Sequence, residues 1–303
     1  METFDVTVVG AGLAGLQCAR LLGQQGFRVL LADRKPDLHQ KVHTTGIFVR
    51  RTLEDFDLPE DCLGPVIRHV SLYSPAHRVL HLESKNDEFR IGRMGPLYQR
   101  LLNQSLHHGV QWLPSANYLA ATQVDGNSVV RFKLDDSVKS ISTRFLIGGD
   151  GVCSRVARDL QLDRNRDWIA GVEDIYADVH LAGPPRLLAF LNPKLAPGYI
   201  GWIAYDGEEA HVGVAGYPTQ FDRVCSLKTF QAQIADIVDL GTARLIERRG
   251  GRIPVGGVLP RIANSRGLLI GDAAGAVSPL TAGGLDPCLR LSSLAARASS
   301  VFL

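Results

Sequence analysis

The sequence predicts an α/β fold in which an open α/β framework is interleaved with a second domain made mainly of strands. Three observations lead to this prediction. A strand–glycine turn–helix–strand unit begins the chain, two later apolar strands end in glycine-aspartate turns, and short strand patterns fill the stretches between these motifs. The chain shows no internal repeat and no low-complexity linker, so the two domains are expected to alternate along the sequence.

Composition excludes several functional classes. The 303 residues carry 33 lysines and arginines against 31 aspartates and glutamates, and this net charge of +2 provides no field for binding nucleic acid. Hydrophobic residues make up 45% of the chain, enough for a substantial core, yet no apolar run reaches the ~18 residues of a membrane-spanning helix. The N-terminus has no basic segment before its first strand, so we expect no signal peptide and a cytoplasmic location.

No metal site or disulfide scaffold is expected. The cysteines are odd in number, widely spaced and without a CxxC pair, which also argues against a dithiol redox centre. His77 and His81 lie on predicted strands, where a spacing of four residues corresponds to about 13 Å. The five cysteines are Cys18, Cys62, Cys153, Cys225 and Cys288.

The first motif is a glycine-rich turn between a strand and a helix. Phe4–Val9 has the pattern of a buried strand and is followed at once by GAGLAG, after which a helical pattern runs to about Gln25. In such a turn Gly10 permits the tight bend, Gly12 lets a pyrophosphate approach the backbone, and Gly15 lets the helix pack on the strand. The residues expected to bind a dinucleotide here are Gly10, Ala11, Gly12, Leu13, Ala14 and Gly15.

The second strand of this Rossmann-like unit, residues 27–32, ends at an acidic residue. Asp33 lies 18 residues after Gly15, close to the ~20-residue spacing at which a carboxylate accepts hydrogen bonds from a ribose. The neighbouring Arg34 is a candidate for stacking on an adenine, or an exposed surface arginine.

Beyond residue 65 the pattern changes to short strands. Strands are predicted at residues 66–74, 78–83, 88–93 and 144–147, within 110–147 with a turn at 125–127, through most of 168–216 and at 267–270. Helices are predicted at residues 97–108, within 221–238 and from Gly283 onward.

Two later motifs resemble segments of one large flavoprotein family. Gly148–Arg158 (GGDGVCSRVAR) resembles the DG segment of the family that includes p-hydroxybenzoate hydroxylase, and Leu269–Pro279 (LIGDAAGAVSP) resembles its GD segment. The resemblance implies FAD as the cofactor, with Asp150 at the site and Asp272 holding a ribityl hydroxyl, a role that suits a carboxylate because hydroxyls are donors. The helix whose first N–H groups would point at the flavin begins at Gly283, Gly284 and Leu285.

The chain is similar in particular to the geranylgeranyl reductase group of that family. Residues 251–286 follow the group's pattern around Asp272, and residues 197–205 (PGYIGWIAY) partly match its PxxYxWxFP strand, which lines the substrate cavity. Pro197 and Trp202 fit that strand. The departures are Ile200 for tyrosine, Ala204 for phenylalanine and Tyr205 for proline. The substrate residues implied by the resemblance are Pro197, Ile200 and Trp202.

The same resemblance assigns four further residues to the cofactor. Thr45 and Gly46 lie in the loop at residues 41–46, where the group has a cysteine at the position of Thr45. Arg93 matches an arginine that contacts FAD, and Tyr118 falls near a position whose main chain contacts adenine.

The motifs divide the chain into two discontinuous domains. Residues 1–65, 94–160 and 255–303 are expected to form the FAD-binding domain. Residues 66–93 and 161–254 are expected to form the strand-rich substrate domain. No second GxGxxG motif is present, so NAD(P)H is expected to bind only transiently as the reductant.

The resemblance implies an enzyme that uses FAD and NAD(P)H to reduce an isoprenoid or another small apolar alkene. Two alternatives stay open: an FAD-dependent monooxygenase acting on a small aromatic, and a degenerate flavin fold that binds a lipid or a partner. No residue is assigned as the catalytic acid. The helix from Gly283 has no stop signal before Leu303, so the expectation is a short C-terminus that leaves a cavity near Trp202 open to a membrane surface or to a second copy of the chain.

Overall fold

The computed structural model describes residues 1–279 and 281–303. The helices are α1 (Leu13–Gln24), α2 (Arg50–Asp55), α3 (Met94–His107), α4 (Arg155–Asp159), α5 (Arg223–Gln233) and α6 (Leu285–Phe302), with 3₁₀ helices at Glu60–Cys62 and Gly271–Ala274. The strands are β1 (Glu2–Val9), β2 (Val29–Ala32), β3 (Ile47–Val49), β4 (His69–Tyr73), β5 (Val79–Glu83), β6 (Phe89–Ile91), β7 (Gln111–Leu113), β8 (Ala116–Val124), β9 (Asn127–Leu134), β10 (Ser137–Gly148), β11 (Trp168–Ala177), β12 (Arg186–Phe190), β13 (Gly201–Tyr205), β14 (Glu209–Gly216), β15 (Arg244–Pro254), β16 (Ala263–Asn264) and β17 (Gly267–Leu269). Among the described residues, no helix combines the length and the hydropathy needed to cross a membrane.

The chain forms two compact units, each built from separate segments. The first unit comprises residues 1–42, 95–167 and 254–303, and the second comprises residues 43–94 and 168–253. The segment 43–65 therefore lies in the strand-rich unit, because β3 pairs with β6. The segment 161–167 lies in the first unit. An α/β fold with an interleaved strand-rich unit is confirmed, and the assignment of FAD and substrate to the two units stays a prediction.

The first unit is organised around a largely parallel sheet. Within the described residues its path runs β16-β17-β10-β1-β2-β7, and β9 pairs with both β10 and β8. The pairs β17–β10, β10–β1, β1–β2 and β2–β7 are all parallel. Val6, Val8 and Leu31 are fully buried in these strands, as expected for a parallel sheet covered on both faces.

The second unit contains a seven-stranded sheet with the order β15-β11-β14-β13-β12-β4-β5. The pairs β11–β14, β14–β13, β13–β12 and β4–β5 are antiparallel, whereas β12 and β4 are parallel. A core cluster that includes Ile203 and Val212 of this sheet packs with Phe230 of α5. Alternate residues point to the opposite face of the sheet, which carries the polar groups described below.

Sequence periodicity predicted most of these elements within a few residues. The turn predicted at residues 125–127 joins β8 to β9, and the helix predicted at 97–108 is α3, which begins three residues earlier. The strand β15 was not predicted. Its sequence, RLIERRGGRIP, is dominated by arginines and glycines, and its residues are mostly exposed or half-buried, so it lacks the apolar alternation of a typical strand.

Candidate functional site

Four parallel strands of the first unit end at the same level of the sheet. The registers place Ala32 opposite Val9, Val9 opposite Gly148, and Gly148 opposite Leu269. Loops that leave the carboxyl ends of parallel strands form the ligand crevice of open α/β sheets. The sequence-predicted positions that follow these four strand ends are Gly10, Asp33, Asp150 and Asp272.

The three glycines of the GAGLAG turn have different surroundings. Gly10 has a φ of +102°, and a Cβ there would overlap the carbonyl oxygen of Gly149. A Cβ at Gly15 would overlap the carbonyl oxygen of Gly10, whereas a Cβ at Gly12 would meet no described atom within 4 Å. Gly10 and Gly15 are therefore required by the fold, and Gly12 leaves the backbone open to a ligand.

Helix α1 begins at this turn with free N–H groups. It has no side-chain cap and no acidic residue in its first turn. The N–H of Leu16 donates to the carbonyl oxygen of Gly12 at 3.0 Å, but no described residue accepts from the N–H groups of Gly12, Leu13 or Ala14. Unpaired donors and the partial positive charge of a helix N-terminus favour the binding of a phosphate.

Asp33 is bound to the glycine turn. Its Oδ2 accepts a hydrogen bond from the backbone N–H of Ala11 at 2.6 Å, and its Oδ1 accepts one from the N–H of Lys35 at 2.8 Å. Each carboxylate oxygen retains acceptor capacity, so Asp33 can hold the turn and a ribose hydroxyl together. The neighbouring Arg34 is exposed.

The carboxylate of Asp150 is engaged by its own loop. Its Oδ1 accepts from Ser154 Oγ at 2.6 Å, and its Oδ2 accepts from the N–H groups of Arg155 at 2.7 Å and Val156 at 3.2 Å. Ser154 in turn caps α4 by accepting from the N–H of Ala157. The side chain of Asp150 thus organises the start of α4, and its contact with a cofactor stays a prediction.

The carboxylate of Asp272 differs because no described residue donates to it. Desolvation raises the pKa of this half-buried group to about 6. The position is fixed by the main chain: Asn165 Nδ2 donates to the carbonyl oxygen of Asp272 at 2.8 Å, and a Cβ on Gly271 would lie 2.9 Å from the Cβ of Ala14. Asp272 is therefore a poorly hydrated acceptor, held next to α1, that lacks a donor.

Helix α6 begins beside the same carboxylate. A Cβ on Gly284 would lie 3.6 Å from Asp272 Oδ1, and the helix that starts at Leu285 has no side-chain cap. Gly283 is held by the preceding loop, since its carbonyl oxygen accepts from the N–H of Ser278 at 3.0 Å. The three residues predicted at this helix start thus lie in the first unit with the glycine turn.

Tyr118 also lies in the first unit, but its polar groups are engaged within it. Its hydroxyl donates to Asp159 Oδ2 at 2.8 Å, and its carbonyl oxygen accepts from Arg155 Nη1 at 3.2 Å. Burial, with the Asp159 carboxylate, raises the pKa of Tyr118. The adenine contact implied by the resemblance stays a prediction.

Three predicted cofactor residues, Thr45, Gly46 and Arg93, lie in the second unit. Gly46 has a φ of +88°, and its carbonyl oxygen accepts from the N–H of Gly92 at 2.8 Å. Arg93 forms an ion pair with Glu208, while its buried Nε has no hydrogen-bond partner among the described residues. Their contact with FAD stays a prediction.

The predicted substrate residues lie on or just before β13 in the second unit. Trp202 is half-buried, and a Cβ on Gly213 of the neighbouring strand would overlap its indole ring. Pro197 is buried against Gly216, and half-buried Ile200 accepts a hydrogen bond from the N–H of Ala215 through its carbonyl oxygen.

Sequence reasoning missed the carboxylate that joins two of these predicted residues. Glu173 Oε2 accepts from Thr45 Oγ1 at 2.5 Å and from Trp202 Nε1 at 2.9 Å, while its Oε1 accepts from Arg249 Nε at 2.7 Å. Burial alone would raise the pKa of Glu173, but hydrogen bonds and the charges of Arg249 and His211 hold it well below its usual range. We call these four residues, Thr45, Glu173, Trp202 and Arg249, the Glu173 cluster.

The Glu173 cluster continues into a buried histidine. His211 Nδ1 lies 3.0 Å from Arg249 Nη2 and 3.7 Å from Glu173 Oε1, and its Nε2 lies 3.7 Å from Asp206 Oδ2. Burial alone would lower the pKa of His211, but the two carboxylates raise it to about 9. Asp206, Glu209 and His211 bring possible metal-ligating atoms within 4.8 Å of one another. Asp206 Oδ1 already accepts hydrogen bonds from two backbone N–H groups of its turn. We therefore assign Asp206, Glu209 and His211 to the charged groups around Glu173 rather than to a metal site.

A second acid–arginine pair joins the same two strands on the other face of the sheet. Asp174 Oδ1 accepts from Arg248 Nε at 2.7 Å, and Asp174 Oδ2 accepts from Gln231 Nε2 of α5 at 2.8 Å. The sequence signal for both pairs is the Glu173-Asp174 doublet inside an otherwise apolar strand, matched by the Arg248-Arg249 doublet. Consecutive charges in a buried strand require a partner on each face.

The first unit fits an FAD cofactor on three structural grounds. A Cβ at Gly12 would meet no described atom within 4 Å, the first N–H groups of α1 have no acceptor among the described residues, and Asp272 lacks the donor that a ribityl hydroxyl would bring. Asp33 can accept the ribose hydroxyls. These groups lie around the ends of neighbouring parallel strands, as a bound dinucleotide requires.

Comparison with known proteins agrees with this geometry. A family model described as an NAD(P)-binding Rossmann-like domain matches residues 8–49. The chain is 27% identical to digeranylgeranylglycerophospholipid reductase 1 of Methanopyrus kandleri over 94% of this chain and 77% of that protein. It is 26% identical to geranylgeranyl diphosphate reductase of Rhodobacter capsulatus over 99% of this chain and 76% of that protein.

Solved structures share the fold. A geranylgeranyl bacteriochlorophyll reductase-like protein from Thermoplasma acidophilum superimposes with a TM-score of 0.89 at 21% identity, covering 99% of this chain and 79% of the other. A p-nitrophenol 4-monooxygenase from Pseudomonas putida gives a TM-score of 0.81 at 16% identity, covering 100% and 81%. Together with the sequence similarity, these matches confirm the resemblance: the chain is an enzyme with the fold of FAD-dependent oxidoreductases, and it is similar in sequence to the geranylgeranyl reductases.

Proposed function

We propose that this enzyme uses NAD(P)H to reduce a carbon–carbon double bond of an isoprenoid or another apolar alkene. The observation that carries the proposal is the similarity, over 94% and 99% of the chain, to two proteins named as reductases of geranylgeranyl compounds. The acceptor and donor groups of the first unit support it, because they match the needs of the cofactor on which such a reduction depends.

The first unit is proposed to hold FAD. The backbone at Gly12 and the N-terminus of α1 would bind the pyrophosphate, Asp33 the ribose, and Asp272 a ribityl hydroxyl. The N-terminus of α6 at Gly284 would stabilise negative charge on the flavin ring. FAD, when bound and reduced, supplies the hydride for the reduction. The remaining residues proposed for the cofactor are Arg34, Tyr118 and Asp150 of the first unit and Thr45, Gly46 and Arg93 of the second.

The second unit is proposed to bind the substrate. Trp202, with Pro197 and Ile200 beside it, would offer apolar surface to an alkene chain. The fit of the indole over Gly213 fixes its orientation, so the surface needs little reorganisation when a substrate binds.

The reductant is proposed to be a nicotinamide that binds transiently. The sequence contains one GxGxxG turn, which we assign to the binding of FAD. Binding without a dedicated dinucleotide domain predicts weak and readily reversible association with NAD(P)H.

An experiment with and without oxygen tests the reaction. Purified protein is loaded with FAD and incubated anaerobically with NADPH and geranylgeranyl diphosphate, and NADPH oxidation is compared with the loss of double bonds by mass spectrometry. Equal amounts of both support the proposal. Stoichiometric oxygen uptake in air with a hydroxylated aromatic product would instead establish the monooxygenase chemistry of the p-nitrophenol 4-monooxygenase. Stable FAD binding with no NADPH oxidation in either condition would indicate the degenerate, binding-only alternative.

A further inference from the structure

One buried carboxylate connects three separate segments of the second unit. The side chain of Glu173 is 7% exposed, and it lies on β11 between the loop of Thr45, the strand of Trp202 and the strand of Arg249. Thr45 and Trp202 donate to the same oxygen, Oε2, while Arg249 donates to Oε1. Neither Thr45 nor Trp202 can change its side-chain orientation without leaving that shared oxygen with one donor fewer.

The buried Arg249 guanidinium decides the protonation state of Glu173. It lies 2.7 Å from Glu173 Oε1, and the lowered pKa of Glu173 keeps this side chain an ionised carboxylate, which only accepts. The Thr45 hydroxyl has a single proton, and that proton is directed at Glu173. The half-buried Thr45 therefore presents only oxygen lone pairs to any other group that approaches it.

We propose that Glu173 is a positioning residue that holds the Trp202 indole in place and fixes the Thr45 hydroxyl as a hydrogen-bond acceptor toward the bound ligand. This inference rests on the proposed function, because it assigns Trp202 and Thr45 to the ligand site. It adds two statements about the site to the proposed function. Thr45 is excluded as the proton donor of the reduction, and a ligand group that contacts it must carry a donor such as a hydroxyl or an N–H.

The indole of Trp202 is fixed from two sides. Its Nε1 donates to Glu173, and its ring covers Gly213, where any Cβ would overlap it. The ring of Tyr199 packs against its edge with centroids 6.3 Å apart. Loss of the Glu173 carboxylate would leave the indole with steric contacts but without the hydrogen bond that selects one orientation.

The chain contains a matched control for this carboxylate. Asp174 is the next residue of β11, is also buried, and pairs with Arg248 on the opposite face of the sheet. Its remaining partners are Gln231 and the Tyr176 hydroxyl. Asp174→Asn therefore removes a buried charge from the same strand without touching the Glu173 cluster.

The first test is spectroscopic and independent of catalysis. In ¹⁵N-labelled protein, the indole N–H signals of Trp112, Trp168 and Trp202 are recorded for the wild type, Glu173→Gln and Asp174→Asn. We expect Glu173→Gln to shift the Trp202 signal, because the amide nitrogen replaces one carboxylate acceptor. We expect Asp174→Asn to leave it in place. An unshifted Trp202 signal in folded Glu173→Gln protein would overturn the proposal.

A second pair of variants covers the case in which Glu173→Gln does not fold. Thr45→Val removes one donor from Oε2 and is expected to shift the Trp202 signal, whereas Thr45→Ser is expected to restore it. If folded Thr45→Val protein keeps the Trp202 signal of the wild type, the two side chains are not coupled through Glu173 and the proposal is wrong.

The kinetic test separates this proposal from the proposed function. With the alkene substrate, Glu173→Gln is expected to raise KM about tenfold, the loss of one hydrogen bond to a charged group. Flavin reduction by NADPH without alkene is measured in parallel, and Asp174→Asn should leave both that rate and KM unchanged. A wild type that reduces no alkene but shows the Trp202 coupling refutes the proposed function alone. An unchanged KM in active Glu173→Gln protein refutes the positioning role alone.

Discussion

The candidate FAD site and the Glu173 cluster are built in opposite ways. The first consists mainly of backbone N–H groups without acceptors and of the Asp272 carboxylate, which has no donor among the described residues. In the second, the Glu173 carboxylate receives hydrogen bonds from three side chains and is paired with Arg249. Unsatisfied polar groups are costly, so the open N–H groups of the glycine turn and the Asp272 carboxylate indicate a site that is completed by a ligand. The hydrogen bonds that the Glu173 carboxylate accepts indicate a site in which Thr45, Trp202 and Arg249 are already oriented.

The largest expected effect concerns the open backbone at Gly12. Gly12→Val should abolish FAD binding, because the side chain would fill the space that we assign to the pyrophosphate. Its φ of −72° and ψ of 179° suit any residue, so the variant should keep its thermal stability. The measurements are flavin absorbance after gel filtration and the melting temperature.

Gly10→Val is the contrasting variant in the same turn. A Cβ at Gly10 would overlap the backbone of Gly149, so this variant should lose stability as well as FAD. If Gly12→Val protein retained FAD, the pyrophosphate would not bind at this turn and the assignment would be wrong.

The next effect concerns the Glu173 cluster and its arginine. Arg249→Met removes the guanidinium that is bonded to the buried Glu173 carboxylate and should destabilise the protein by about 3–5 kcal/mol. Arg248→Met on the opposite face should cost less, because the Arg248 side chain is 45% exposed and that of Arg249 only 9%. Urea unfolding of both variants checks this order, and equal losses would contradict the distinction between the two faces.

This difference in construction also explains why the candidate FAD site could be predicted from the sequence and the Glu173 cluster could not. The candidate FAD site could be proposed from the sequence because its residues belong to short contiguous motifs at strand ends, such as GAGLAG and the GD segment around Asp272. The Glu173 cluster could not, because its members are joined only by the fold: Thr45 lies 128 residues from Glu173, and Arg249 lies 76 residues from it. The arginine-rich strand β15, which supplies Arg249, also lacks the periodicity by which strands are recognised.

A pH effect on stability should arise from His211. Its pKa is about 9 in the folded protein against 6.5 for a free histidine, so protonation stabilises the fold below pH 6.5 and this contribution is lost as the pH rises through 9. The free energy of unfolding should fall by up to about 3 kcal/mol across this interval. His211→Gln should flatten the profile, whereas the exposed His180→Gln should not. A wild-type profile that is flat between pH 6.5 and 9 would show that the carboxylates do not retain the proton.

Substitution of Asp272 should have two smaller effects of opposite sign, one on FAD binding and one on the stability of the FAD-free protein. Asp272→Ala should weaken FAD binding by about 1.5–3 kcal/mol, because a charge-assisted hydrogen bond is lost. The same variant should stabilise the FAD-free protein at neutral pH, because it removes a poorly hydrated charge that has no donor. FAD titration and thermal unfolding measure the two changes. A destabilised FAD-free variant would mean that Asp272 serves the fold rather than the ligand.

The most direct test of an FAD site completed by its ligand is the pH dependence of FAD affinity. The pKa of Asp272 is about 6 without a donor, and a hydroxyl donated by the ligand would lower it, so FAD binding favours the ionised carboxylate. The dissociation constant of FAD, measured by equilibrium titration between pH 5 and 8, should therefore fall as the pH rises through about 6. In Asp272→Asn it should be higher and insensitive to pH in this range. A wild-type protein that binds no FAD, or whose affinity does not change across this range, would contradict the assignment of this site.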